Sequence, residues 1–205
     1  MKKITFTLRG ASPLSWSKVI DVQKETGEAS DAFEQRIWRL RFHTDEKGNI
    51  VIPGNAIKGA LEKVAAYLGE TVPGKGKATY TKHYCAGLLV PDAIPIGVHI
   101  SGAKAEGVYP PCHIDSVKSE RVYVPSDGKP GGAKRVWKTF PFVPAGWEGT
   151  GVIYVLDPLL ESCTDTIRRH LEHAGKFIGL GRFRPINRGF YGRFTVESFV
   201  VTNEV

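Results

Sequence analysis

Alternating apolar and polar positions at the start of the chain predict its first strand. Ile4, Phe6 and Leu8 alternate with polar residues, and this period of two is typical of a strand with one buried face. The polar stretch between Pro13 and about Asp31 has no regular period and predicts a long loop. The alternation returns over 36–43, where a turn and a short apolar run follow, so this segment predicts a β-hairpin.

Two segments have apolar residues at helical spacing. The first predicts a helix from about Asn55 to Leu68, in which the Asn55 side chain is available as an N-cap. The second follows the pair Asp157 and Pro158 and continues to Ala174, and Gly175 is expected to end it.

Further short apolar segments predict strands, and Gly-, Lys- and Thr-rich sequence over 69–84 predicts a loop. The predicted strands cover 87–90, 94–100, 151–156 and 193–201. Strands that alternate with two helices indicate an α+β fold. The sequence has no internal repeat and no linker, so we expect one domain over 1–205.

Composition and charge narrow the functional class. The chain has 205 residues and a hydrophobic fraction of 41%, which is ordinary for a globular protein. Its net charge of +7 favours an anionic partner. The N-terminus lacks the features of a secretory signal, and no apolar run is long enough to cross a membrane. We therefore expect a cytoplasmic protein without a membrane partner.

The cysteines do not form a recognisable metal or disulfide pattern. There are three, and no C-x-x-C pair occurs, which fits reduced thiols. A zinc site would need His83, Cys85, Cys112 and His113 to converge, but the spacings within each pair are shorter than those of structural zinc sites. No metal site is predicted from these residues.

Positive charge is concentrated in two Gly-rich segments. The segment 118–138 contains six cations and only two acidic residues, and it predicts a flexible loop or hairpin tip. The segment 177–193 contains four glycines, four arginines and the adjacent aromatics Phe190 and Tyr191, without an acidic residue. Glycines allow close approach to phosphate, arginines bind phosphate oxygens, and aromatic rings stack on unpaired bases.

This second segment, called here the Gly/Arg loop, has two other interpretations. Its glycines can simply serve turn geometry, with Phe183 and Phe190 in the core. A dinucleotide-binding fingerprint fits poorly, because Gly179 and Gly181 follow a predicted helix and precede a strand.

Three segments resemble motifs of the RAMP superfamily of CRISPR-associated proteins. Residues 52–61 resemble the family's I-P-G-S-S-[LI]-K-G motif, with Asn55 and Ala56 in place of the serines. Residues 87–93 resemble a family strand that ends in Asp-Ala, and the Gly/Arg loop resembles the family's Gly-rich loop. The three occur in the family's order, so the resemblance spans nearly the whole chain.

The resemblance implies a modified ferredoxin-like (RRM-like) domain with loop insertions that binds CRISPR guide RNA (crRNA). Such backbone subunits stack as multimers along the guide beside other effector subunits, and target nucleic acid pairs with the guide. The basic segment at about 117–138 would form a thumb-like insertion. The implied RNA-binding residues are Arg36, Asn55, Lys58, Lys134, Arg135, Gly179, Gly181, Arg182, Arg184, Arg188, Phe190 and Arg193.

Binding of the guide requires no cofactor, but some type III backbone subunits also cleave target RNA. The resemblance makes Asp31 the candidate catalytic residue, with Asp21 as a weaker candidate. Such a carboxylate can assist a divalent metal or orient the 2′-hydroxyl, so a metal is considered only for cleavage. The loop that contains Asp31 departs from the family pattern, because its Gly-x-x-Asp-x-Pro context is absent.

Two alternative functions remain. One is a CRISPR repeat-RNA processing endoribonuclease of the same superfamily, in which His43 or His83 would act as general acid or base. Those enzymes usually contain two tandem RRM-like folds, and the 53–59 motif favours a backbone subunit. The other is a solitary mimic that blocks an effector complex.

Overall fold

Helices and antiparallel strands alternate along the chain in this computed structural model, which describes residues 1–101, 117–126 and 134–204. The strands are β1 (Lys2–Gly10), β2 (Leu14–Ser15), β3 (Asn49–Ile52), β4 (Leu88–Leu89), β5 (Ile94–His99), β6 (Lys118–Pro125), β7 (Arg135–Val143), β8 (Glu148–Val155) and β9 (Phe194–Asn203). The helices are α1 (Ser30–Ile37), α2 (Gly54–Leu68), α3 (Tyr80–Gly87), α4 (Pro158–Glu161) and α5 (Thr164–His173). Short helical turns cover Trp38–Arg41, Ala174–Ile178 and Pro185–Asn187.

The largest sheet has four strands in the order β4, β8, β1, β9, and every pairing in it is antiparallel. Helix α2 lies between β1 and β4 in the chain, and α5 lies between β8 and β9. Two split βαβ units interleaved in this way form the ferredoxin-like arrangement. The α+β, ferredoxin-like fold predicted from the sequence is therefore confirmed.

The core lies between this sheet and the helices. Ile4, Phe6 and Leu8 of β1 are fully buried, as the alternation of that strand predicts. Ile57 and Leu61 of α2 belong to the same apolar cluster. Each fully buried aliphatic side chain of this kind contributes about 1.5 to 3 kcal/mol to folding.

A second sheet contains strands from the segment that was predicted to form a thumb-like insertion. Strands β6 and β7 pair from Lys118 with Phe142 to Pro125 with Arg135, and β7 continues to pair with β2. Strands β6 and β7 therefore form a hairpin that is joined to the body of the domain through β2, and residues 127–133 lie outside the described residues. Strands β3 and β5 form a separate two-stranded sheet.

The strand predicted over 36–43 is wrong. The segment is the end of α1 and the following turn Trp38–Arg41. Consecutive residues Ile37 and Trp38 are both buried, whereas a strand would place them on opposite faces. Glu34 accepts two hydrogen bonds from Arg41, at 3.1 Å each, and these contacts stabilise the helical conformation.

Three other boundaries differ from the predictions. The loop predicted up to Asp31 contains β2 and ends where α1 begins at Ser30, and the loop predicted over 69–84 ends where α3 begins at Tyr80. The last helix passes Gly175 in a wider π-helical turn and ends at Gly179, whose φ is 71°. In helix α2 the N-cap is Pro53, so Asn55 does not cap it.

Two of the four zinc candidates, Cys112 and His113, lie outside the described residues. Within the part of the chain that the structure describes, no helix is both long and apolar enough to cross a bilayer.

Candidate nucleic-acid interface

The Gly/Arg loop is fastened to the segment after β1 by backbone hydrogen bonds. The N–H of Gly192 donates to the carbonyl of Pro13 at 2.7 Å, and the N–H of Arg182 donates to the carbonyl of Ser15 at 2.7 Å. Gly192 has a φ of 71°, and a Cβ there would collide with the carbonyl oxygen of Leu180. Gly179 and Gly181 also have positive φ, at 71° and 69°. The three glycines therefore allow the left-handed backbone conformation of the loop, as predicted by the alternative in which they simply form turns.

Arg182 is held between two aromatic rings. Its guanidinium carbon lies 3.2 Å from the ring centroid of Phe140 in β7 and 3.8 Å from that of Phe183. Burial lowers the pKa of Arg182 to about 10, so the side chain remains charged at neutral pH. Its Nη1 is buried without a hydrogen-bond partner. Arg182 therefore links the Gly/Arg loop to the hairpin.

Tyr191 makes a second link between the loop and the hairpin. Its hydroxyl donates to Glu120 of β6 at 2.6 Å, and burial together with this hydrogen bond raises its pKa to about 12. The Tyr191 ring also contacts the ring of Phe190 at 4.5 Å between centroids. Phe190 itself is 62% exposed, which contradicts the alternative interpretation that places it in the core.

The remaining arginines of the loop face outward to different degrees. Arg188 is exposed, and Arg193 is exposed and donates to the carbonyl oxygen of Lys176. Arg184 is half-buried, and its Nε is buried without a partner. Burial, and then the charge of Arg184, lowers the pKa of Lys63 on α2. An anion placed between these two cations would relieve their repulsion.

The first two sequence motifs meet at the start of α2. A Cβ on Gly54 would collide with the carbonyl oxygen of Val90 and lie 2.8 Å from that of Asp92, so glycine permits this close packing. Asn55 is exposed and Lys58 is half-buried. Within the described ranges, Lys58 has no ion-pair partner.

Arg36 is already paired with carboxylates. Its Nε and Nη2 donate to Glu28 at 2.9 and 2.8 Å, and Glu25 lies 3.7 Å away. The hydrogen bond from Arg36 lowers the pKa of Glu28 to about 2. Two of the side-chain nitrogens of Arg36 are therefore already bound by a carboxylate.

The hairpin presents aromatic rings beside its cations. Lys134 and Arg135 are exposed. Tyr123 and Trp137 face each other across the strands with 5.1 Å between ring centroids, and each is 48% exposed. Sequence reasoning identified the cations but missed these rings, although both occupy alternate positions in strand-like sequence.

The two aspartates considered for cleavage are exposed, and Asp31 is in the first turn of α1. Its carboxylate accepts a hydrogen bond from Arg121 of β6 at 2.7 Å. Asp21 lines a different hollow, beside Leu40 and Phe42. Among the described residues, no group of three or more His, Cys, Asp or Glu side chains is arranged to hold a metal ion. Asp31 therefore belongs to no metal-ligand set within the ranges that the structure describes.

The two candidate histidines lie in different settings. His83 shares a hydrogen bond of 2.7 Å with Asp157, and this bond lowers the pKa of Asp157. Asp157 also accepts from the N–H of Leu159, which caps α4. His43 lies edge-on against Trp16, and burial lowers its pKa.

Sequence reasoning identified Arg193 as a binding residue but did not predict that Tyr67 and Phe177 lie together beside it. Tyr67 at the end of α2 and Phe177 after α5 lie 5.6 Å apart between ring centroids, and both are exposed. They line a cavity of about 460 Å³ with Pro185, Ile186, Lys176 and Arg193. This cavity is called the Tyr67–Phe177 cleft below. The rings are distant in the sequence, so no local pattern indicates that they meet.

Comparison with known proteins gives matches among solved structures only. No protein-family model matches the chain, and no curated protein matches it. The crystal structure of Cmr6 from Pyrococcus furiosus is similar at 14% identity and a TM-score of 0.49, over 96% of this chain and 98% of that one. A cryo-EM structure of the Type III-B Cmr-beta complex bound to cognate target RNA is similar at 12% identity and a TM-score of 0.48, over 98% of this chain and 61% of the matched one. Strand order and connectivity show the ferredoxin-like fold of this chain.

Proposed function

We propose that this chain is a guide-RNA-binding subunit of a CRISPR effector complex of the RAMP superfamily. The observation that carries the proposal is the surface formed by the Gly/Arg loop and the β6–β7 hairpin. Arg188 and Phe190 are exposed on the loop, and Lys134, Tyr123 and Trp137 are exposed on the hairpin.

This combination of groups suits a single-stranded nucleic acid. Cations without carboxylate partners neutralise phosphates, and exposed rings stack on bases without reading their identity. Arg188, Lys134 and Arg135 have no ion-pair partner among the residues described. The three RAMP-like motifs add the class of RNA, because in that family sequence recognition is left to pairing with the guide.

Side-chain contacts also hold the hairpin and the Gly/Arg loop together. Tyr191 binds Glu120, and Arg182 stacks on Phe140. A strand of RNA that contacts both elements would therefore meet a surface of fixed geometry, and binding would not have to order the two parts separately.

The experiment that tests the proposal is purification of the full chain, followed by sequencing of the RNA that co-purifies with it. RNA of discrete length that carries CRISPR repeat sequence is expected. A chain that is free of nucleic acid, and that also fails to bind crRNA added to it, would contradict the proposal.

Cleavage of target RNA by Asp31 is a separate question, and the pairing of Asp31 with Arg121 favours a structural role. We expect Asp31→Asn to leave any cleavage of bound target RNA unchanged in rate, because the carboxylate is engaged by Arg121. Cleavage is measured on labelled target RNA with Mg²⁺ present and with Mg²⁺ chelated. A large loss of cleavage in the variant, with RNA binding unchanged, would make Asp31 catalytic.

A further inference from the structure

The Tyr67–Phe177 cleft combines two aromatic faces with positive charge where the Gly/Arg loop meets Tyr67 at the end of α2. Tyr67 is 63% exposed and Phe177 is 43% exposed, and their rings are inclined by 34°. His173 packs on Phe177 at 5.6 Å between centroids and supports it. Rings of this size that remain exposed are available to stack on a ligand.

The charge of the cleft comes from Lys176 and Arg193. Arg193 donates to the Lys176 carbonyl oxygen, so its guanidinium is fixed at the rim. None of the residues that line the cleft is acidic. A neighbouring hollow of about 330 Å³ shares Lys176 and Arg193, and its single acidic residue, Glu172, is paired with Arg168 at 3.2 Å.

The lining excludes several ligand classes. It offers no carboxylate to a metal or to a cationic ligand, whereas the two cations favour an anion. The cleft volume lies within the range of about 300 to 1,000 Å³ that is typical of small-molecule sites. A planar aromatic group that carries a negative charge matches the rings and the cations together.

We propose that the Tyr67–Phe177 cleft seats one unpaired nucleotide of the bound RNA, with its base on the two rings and its phosphate on Lys176 and Arg193. This inference rests on the proposed function and adds to it a site for a base that is not paired with target. A base inside a duplex has both faces covered by its neighbours, so only a single-stranded or flipped nucleotide fits.

The probe is a fluorescent single-stranded RNA of twelve uridines, whose affinity for the full chain is measured by anisotropy. Tyr67→Leu keeps an apolar side chain and removes the ring, and we expect it to weaken binding about 10-fold. Tyr67→Phe keeps the ring and is the matched control, with a change of less than about 2-fold. Phe177→Leu is expected to act like Tyr67→Leu.

Lys176→Gln separates the phosphate contact from the stacking contact. It should reduce the slope of log affinity against log salt concentration by about 0.7, whereas Tyr67→Leu should leave the slope unchanged. Thermal unfolding of each variant checks that the fold is retained.

The outcomes distinguish this inference from the proposed function. If the unaltered chain binds RNA and both leucine variants bind it equally well, the cleft is not a nucleotide site and the proposed function stands. Equal weakening by Tyr67→Phe and Tyr67→Leu would also overturn stacking. If the unaltered chain binds neither oligouridine nor crRNA, both proposals fail.

Discussion

At the scale of residues, Arg182 and Arg188 show that one loop can place chemically identical side chains in different roles. Arg182 is enclosed by Phe140 and Phe183, whereas Arg188 is exposed and has a φ of 63°. An enclosed guanidinium contributes mainly to stability, and an exposed one is available to phosphate. The two substitutions below should therefore affect different measurements.

Arg188→Gln should weaken RNA binding and reduce its salt dependence, because it removes one phosphate contact. The expected slope of log affinity against log salt falls by about 0.7, with the free energy of unfolding unchanged. Anisotropy titrations at several salt concentrations measure it. Arg36→Gln is the matched control and should leave the slope unchanged, because Glu28 already neutralises that cation. A reduced slope for Arg36→Gln would make Arg36 an RNA contact.

Arg182→Lys should lower the free energy of unfolding by about 1 to 2 kcal/mol, because an ammonium group cannot stack on both rings as the planar guanidinium does. Chemical denaturation at neutral pH measures the change. Arg39→Lys is a suitable control, since Arg39 stacks on Trp38 alone at 4.3 Å and is exposed. A smaller effect for Arg182 than for Arg39 would contradict the enclosed arrangement.

At the scale of elements, a polar network joins α3, α5 and the segment after α2. The Tyr84 hydroxyl and the fully buried His170 share a hydrogen bond of 2.7 Å, and His170 contacts Glu70 at 3.1 Å. Arg169 donates two hydrogen bonds of 2.6 Å to Glu70. Because these four side chains are hydrogen-bonded to one another, the network fixes the position of α5, which leads into the Gly/Arg loop.

Glu70→Gln should destabilise the protein at neutral pH, and the effect should vanish in acid. The hydrogen bonds from Arg169, and then from His170, lower the pKa of Glu70 to about 2, below the value of about 4.3 of an unfolded chain. The stabilisation is therefore complete above about pH 4.3 and is lost as the pH falls towards 2. We expect a loss of about 1 to 2 kcal/mol at pH 7.

The check on Glu70 is a series of denaturation experiments on both proteins from pH 7 to pH 2. Glu46→Gln, in the exposed turn before β3, serves as the control and should give a small difference at every pH. A difference for Glu70→Gln that stays constant across the series would contradict the ionic origin of the effect.

At the scale of the whole molecule, the Gly/Arg loop connects the last part of the chain to the segment after β1. Gly192 and Arg182 bind the carbonyls of Pro13 and Ser15, so the surface proposed to bind RNA depends on residues that are remote in the chain. The same loop contacts the hairpin through Tyr191. A change in its backbone should therefore affect stability and RNA binding together.

Gly192→Ala should destabilise the protein by more than about 2 kcal/mol and also weaken RNA binding, because the added Cβ meets the carbonyl of Leu180 at a positive φ. Gly59→Ala is the matched control. A Cβ at Gly59 meets nothing within 4 Å, and alanine in a helix interior should add about 0.5 to 1 kcal/mol of stability. Thermal unfolding of both variants measures the change in stability. Equal changes for Gly192→Ala and Gly59→Ala would contradict the prediction.

Local patterns predicted the parts of this molecule that depend on local burial. The alternation in β1 and the helical spacing in α2 follow directly from which faces are covered. The segment 36–43 was predicted wrongly because its conformation depends on tertiary contacts, such as that of Glu34 with the backbone N–H of Thr139 at 3.0 Å. The cations of the candidate site were visible in the sequence, but the rings around Arg182 and the partner of Arg36 were not.

The position of β1 at the centre of the sheet has a consequence for how the chain folds during its synthesis. Residues Lys2–Gly10 leave the ribosome long before their partners, which are Glu148–Val155 and Phe194–Asn203. The edge of β1 that pairs with β9 therefore stays unpaired until Phe194–Asn203 have been synthesised. Until then the apolar face of β1 is also incompletely packed. Such distant pairing is slow and leaves apolar surface open to aggregation, so a ribosome stalled before β9 should release a nascent chain that depends on chaperones.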